Sequence, residues 1–134
     1  MDREFIPYEL ALELKQLGFD EPCFKFYIET GELIPASYSK EGTVYPSNSD
    51  LLPEWTASPT YSQAFRWFRE KHEIDSAILP TGSTPYQFRL YHKLQDTIKV
   101  QLYADYMGKE YKTYEEAEFG CLRAIIKLVK EKQK

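Results

Sequence analysis

Two alternating runs lie back to back in this chain, with too little chain between them for a helix. In "YQFRLYHKL" (86–94), Tyr86, Phe88 and Leu90 alternate with Gln87, Arg89 and Tyr91; in "IKVQLYADY" (98–106), Ile98, Val100 and Leu102 alternate with Lys99, Gln101 and Tyr103. Period two marks strands with one covered and one open face. Parallel neighbours need a crossover of about a dozen residues or more, which 95–97 cannot supply. The two runs are therefore predicted to pair antiparallel. "DSAIL" (75–79), followed by the turn "PTGSTP", adds a third strand before them. Earlier, "CFKFYIE" (23–29) sets Phe24, Phe26 and Ile28 against Lys25, Tyr27 and Glu29. The turn-like "TGE" at 30–32 then leads into "LIPASY", where Pro35 implies a short or edge strand because it cannot donate to a ladder.

Three helices bracket these strands. The first is predicted over about 7–17, with Pro7 at the first helical position, an apolar stripe through Tyr8, Ala11, Leu12, Leu14 and Leu17, and Gly18 as its stop. The second covers about 60–72: Thr60 caps it, Gln63 completes a capping box, and Tyr61, Ala64, Phe65 and Phe68 turn inward. The third covers about 113–131. Thr113 and Glu116 form its box, Ala117, Cys121, Ala124, Ile125 and Leu128 form its stripe, and its acids and lysines sit at the ends the helix dipole favours. The shared start, Thr-Tyr-x-x-Ala at 60 and 113, is two capping signals rather than a duplicated site, since the stripes part company after Ala64 and Ala117.

The order α-β-β-loop-α-β-β-β-α predicts an α+β fold: an antiparallel sheet of four to five strands with three helices packed mainly on one face. The 134 residues are expected to form a single domain, 1–134, with a long irregular loop at about 39–59. Leu51, Leu52 and Trp55 within that loop imply that part of it folds back onto the body.

The blocks "LKQLGFDEPCF", "PTYSQAFRWFREKHEI" and "TYEEAEFGCLRAIIKLVK" resemble a family of small uncharacterised proteins encoded in bacterial phages and mobile elements. The resemblance covers most of the chain outside 39–56. It implies a cytoplasmic accessory protein and transfers no catalytic or binding residue.

Each chemistry-bearing pattern has a plainer explanation. His72, His92, Cys23 and Cys121 share no metal-ligand spacing. Cys121 can be paired with His72 as nucleophile and base, but it lies on the apolar stripe of the third helix, where a thiol is inert. The six glycines form no phosphate cradle. Glu115, Glu116 and Glu118 are explained by the helix start. In "RWFREKH" the helical period sends Phe68 inward and Arg66 and Arg69 outward, a solvated amphipathic face. The expectation is a non-enzymatic protein with no cofactor and no metal.

What rises above background is the predicted outer face of the sheet: Lys25, Tyr27, Arg89, Tyr91, Lys99, Gln101 and Tyr103. Tyr and Arg are enriched at protein interfaces, so the expected partner is another protein or a second copy of this chain. Aromatic and basic groups on a sheet can also stack single-stranded nucleic acid. A net charge of −4 weighs against that alternative. No stretch reaches the ~20 apolar residues of a membrane span, and the start "MDREFIPYEL" does not read as a signal peptide, so the expected location is the cytoplasm.

Overall fold

The computed structural model describes residues 2–36, 38–39, 42–80, 85–95, 98–102 and 110–132. The chain divides into two compact units, Met1–Gln63 and Ala64–Lys134.

The first unit opens with a 3-10 turn, Asp2–Glu4, and helix α1, Tyr8–Gln16. Pro7 is the cap of α1 rather than its first residue; its backbone is extended, and its carbonyl accepts from Leu10 N–H at 3.1 Å and Ala11 N–H at 2.9 Å. The other end closes in a Schellman motif. Gly18 takes φ +98°, its N–H reaches the Lys15 carbonyl, and the Phe19 N–H reaches the Leu14 carbonyl at 2.9 Å. Phe19 and Leu14 are both buried, the apolar contact that accompanies this motif.

Strands β1 (Lys25–Tyr27), β2 (Leu33–Pro35), β3 (Tyr38–Ser39), β4 (Gly42–Thr43) and β5 (Thr56–Ser58) follow. The sheet order is β2-β1-β5, antiparallel throughout, with Phe26 opposite Ile34 on one side and Ala57 on the other. Gly31, at φ +86°, makes the β1–β2 turn. β3 and β4 form a separate two-stranded ribbon. β5 arises inside the stretch that composition marks as irregular, and α1 lies against it. The rest of that stretch is tied down. Trp55 stacks on Phe26 with centroids 5.4 Å apart, and its indole N–H donates to Glu29 Oε2 at 2.6 Å. Lys15 Nζ donates to the Pro53 and Trp55 carbonyls at 2.6 and 2.9 Å.

The alternation expected at 23–29 fails at both ends. Phe24 lies before β1 and is 58% exposed, whereas Tyr27, expected outside, is 8% exposed and donates its hydroxyl to the Ile6 carbonyl at 2.8 Å. β1 is covered on both faces: Trp55 lies over Phe26, and Tyr8 packs on Tyr27 at 5.1 Å. A strand of that kind loses its inside-outside code.

Helix α2, Tyr61–Lys71, begins in the first unit and continues into the second. Tyr61, Ala64, Trp67 and Phe68 are buried on it, and Glu73 ends it in a left-handed conformation, φ +57°. The second unit then runs β6 (Ile74–Pro80), β7 (Tyr86–Gln95), β8 (Ile98–Leu102) and α3 (Tyr114–Lys132). The three strands form an antiparallel meander, β6-β7-β8, with an irregularity between Lys93 and Gln95. α3 packs on β6 and β7; Cys121, Leu122 and Ile125 from the helix are buried, as are Phe88 and Leu90 from the sheet. Residues 81–84 of the "PTGSTP" turn lie outside the described residues.

Among the described residues the α+β class holds, with three α-helices and antiparallel pairing. The strands are divided between two three-stranded sheets and a ribbon, rather than sharing the single sheet of four to five that was expected.

Candidate functional site

The outer face of β6-β7-β8 is built by the period of β7. Phe88 and Leu90 are buried; Gln87, Arg89 and Tyr91 point the other way, with Arg89 exposed and its two neighbours half-buried. The ladders fix what stands beside them. Tyr91 is opposite Asp75 on β6 and Gln101 on β8, Arg89 is opposite Ala77, and Lys93 is opposite Lys99. Arg89, Tyr91, Lys99 and Gln101 therefore occupy register positions on one face. Asp75 there approaches Arg69 Nε at 4.0 Å.

The remaining expected face residues are placed differently. Lys25 and Tyr27 belong to the other sheet, β2-β1-β5. Tyr27 is buried, and the Lys25 ammonium lies 5.0 Å over the Phe5 ring. Tyr103 lies outside the described residues. Of the seven expected residues, Arg89, Tyr91, Lys99 and Gln101 stand in one sheet and Lys25 and Tyr27 in the other.

Cys121 and His72 have different neighbours. The His72 ring packs on Trp67 and Phe68 at 5.0 and 5.6 Å. Burial lowers its pKa, and the nearby Lys132 ammonium lowers it further. Lys132 is eleven positions beyond Cys121 on the same helix, roughly 16 Å at 1.5 Å per residue. Cys121 is pushed up to about 12, first by burial and then by Glu118, against a hydrogen bond with Ser76 that lowers it. Cys23 is likewise pushed up to about 12, by burial and then by Glu21. Both thiols are therefore protonated near neutrality, the form that is a poor nucleophile and metal ligand.

Among the described residues, no group of three or more His, Cys, Asp and Glu side chains comes together as metal donors, and no helix is long and apolar enough to cross a membrane. At the start of α3, burial and then Glu115 raise the Glu118 carboxyl above its ordinary range.

Two features were not anticipated from alternation. One is an exposed aromatic pair, Phe24 and Tyr45, in edge-to-face contact at 5.2 Å. The other is a division of charge. The unit Met1–Gln63 carries Arg3, Lys15, Lys25 and Lys40 against eleven carboxylates, a formal charge of −7; the unit Ala64–Lys134 carries thirteen Lys and Arg against ten carboxylates, +3. Counting charges along the sequence exposes this division once the boundary at 63/64 is known. Comparison with family models, curated proteins and solved structures found no match.

Proposed function

We propose that this is a non-enzymatic accessory protein that works by protein–protein contact through the outer face of β6-β7-β8. The observation that carries the reading is the exposed Arg89 between half-buried Gln87 and Tyr91, with Gln101 opposite Tyr91 and Lys99 opposite Lys93 in the ladder. Tyr offers a large, stiff contact area at low entropic cost, and Arg offers a planar set of donors; both concentrate binding energy at interfaces. Arg89, Lys93 and Lys99 against Asp75 make the face cationic by register, so it suits a partner surface with carboxylates. The accessory role follows from the resemblance to phage and mobile-element proteins.

Single-stranded nucleic acid is the alternative ligand. Its support weakens because stacking needs a row of exposed rings, and of Tyr27, Tyr91 and Tyr103 the first is buried in another sheet. Crosslinking with mass spectrometry on the full chain in host lysate tests the proposal. The expected result is a discrete crosslinked protein or second copy that is lost in Arg89→Ala/Tyr91→Ala. A chain that stays monomeric with unchanged crosslinks in that variant overturns the reading. Oligonucleotide binding at low salt that disappears with Tyr91→Ala replaces it with the alternative.

A further inference from the structure

Within the unit Met1–Gln63, residues 19–24 and 45–50 run antiparallel beside each other. Phe24 meets Tyr45 ring to ring, and the Cys23 N–H donates to the Pro46 carbonyl at 3.0 Å. Further along, the Ser49 N–H donates to Asp20 Oδ1 at 2.7 Å, and Asn48 Nδ2 donates to the Phe19 carbonyl at 2.7 Å. The two ends of this ribbon differ in chemistry. At one end Phe24, Val44 and Tyr45 are 58%, 57% and 47% exposed. At the other stand the exposed carboxylates of Asp20 and Asp50, with half-buried Glu21 between Asp20 and the aromatic end.

Asp20 and Asp50 are held in place by hydrogen bonds. The Ser49 N–H is the largest influence keeping the Asp20 carboxyl below its ordinary range. Asp50 Oδ2 accepts from Ser47 N–H at 3.2 Å and from Ser47 Oγ at 3.0 Å. Within the same unit the Lys15 ammonium donates to two carbonyls and the Lys25 ammonium lies over Phe5. The unit as a whole carries a formal charge of −7. An exposed aromatic pair with carboxylates further along the same two segments has the marks of a contact site, and the sign of those carboxylates sets the complementary partner.

We propose that this ribbon docks an extended segment of another protein that carries one aromatic or branched apolar residue and, three to five positions away, two or more Arg or Lys side chains. The apolar residue packs on Phe24 and Tyr45. The cations reach Asp20 and Glu21, which stand four and three residues from Phe24, roughly 10–13 Å at the rise of extended chain, and Asp50, which the 3-10 turn Asn48–Asp50 folds back onto Ser47. Because this site lies on the acidic unit, it is separate from the Arg89/Tyr91 face and does not depend on the function proposed for that face.

Panning a random 12-residue peptide display library against the full chain, and in parallel against Phe24→Ser/Tyr45→Ser, tests the assignment. Both substitutions are at exposed positions, and a thermal melt checks that the variant folds. Peptides recovered on the native chain and lost on the variant are expected to share the apolar residue and the basic cluster. A synthesised member of the set should bind at least about tenfold more weakly to Phe24→Ser/Tyr45→Ser and about fivefold more weakly to Asp20→Asn/Asp50→Asn, while Arg89→Ala/Tyr91→Ala leaves it unchanged. Recovery of the same peptides on both chains, selection of neutral or acidic peptides, or no enrichment overturns the proposal. So does self-association that requires Phe24 and Tyr45, which would put a second copy in place of the foreign segment.

Discussion

Gly120 in α3 stands where Tyr111 needs room. A Cβ there would lie 2.5 Å from the Tyr111 hydroxyl oxygen and 2.7 Å from its Cζ. Tyr111 cannot easily retreat, because its backbone exchanges two 2.8 Å hydrogen bonds with Tyr86 and its ring lies against Phe88. Alanine normally stabilises a helix interior by about 1 kcal/mol over glycine, but overpacking costs about 1–3 kcal/mol. Gly120→Ala is therefore expected to lower the urea midpoint, by about 1 kcal/mol net. In a Tyr111→Ala background the same change should become neutral or stabilising. The thiols supply a second prediction at this scale. Cys23 and Cys121 are raised from an ordinary 9.0 to about 12 by burial. Their folded pKa exceeds the unfolded one, so the native state holds these protons more tightly. The contribution to stability is full below pH 9 and is lost as pH rises from about 9 towards 12. Urea midpoints measured from pH 8 to 11 should fall more steeply for the native chain than for Cys23→Ala/Cys121→Ala. Equal slopes would mean that the thiols are not buried as described.

Among the elements, helix starts were legible because a cap is local chemistry. Thr113 Oγ1 accepts from the Glu116 N–H at 3.1 Å, and Thr60 Oγ1 from the Gln63 N–H at 3.2 Å. The return half of each capping box was not legible. Glu116 Oε2 accepts from the Lys112 N–H, one residue ahead of the cap, and Gln63 Nε2 donates instead to the Pro22 carbonyl at 2.9 Å and Glu21 Oε1 at 3.4 Å. That partner comes from tertiary structure, which no spacing rule contains. The difference can be measured. Thr60→Ala and Thr113→Ala should each lower stability by about 1 kcal/mol in chemical denaturation. Gln63→Glu is neutral if Gln63 serves the cap. As the structure has it, the new carboxylate faces a carbonyl and Glu21, and stability should fall by about 1 kcal/mol. The same limit explains the strands. Period two placed Arg89, Tyr91, Lys99 and Gln101 together because β7 and β8 are neighbours in sequence and their register follows the alternation. It misplaced Phe24 and Tyr27 because β1 is buried on both sides by α1 and the segment around Trp55.

For the whole molecule, composition concealed how the strands are shared out. β5 is three residues within a Ser- and Pro-rich stretch, yet it closes the first sheet beside β1. Long-range pairing of this kind is fixed by what covers a strand, and a local window cannot see it. α2 spans the division, which falls between Gln63 and Ala64, so its first turn belongs to one unit and the rest to the other. An eleven-residue helix is marginal in water without tertiary support, so it should not survive the loss of the packing at either of its ends. The two tryptophans report one unit each: Trp55, stacked on Phe26, reports the first, and Trp67, against Phe68 and His72, the second. Trp55→Phe and Trp67→Phe therefore give chains whose fluorescence follows a single unit, while far-ultraviolet circular dichroism follows both. The shared helix predicts that, within each variant, the fluorescence and dichroism midpoints in urea coincide, as two-state unfolding requires. Midpoints separated by more than experimental error would mean that each unit sustains its own part of α2. The variant with the later fluorescence transition would then identify the more stable unit.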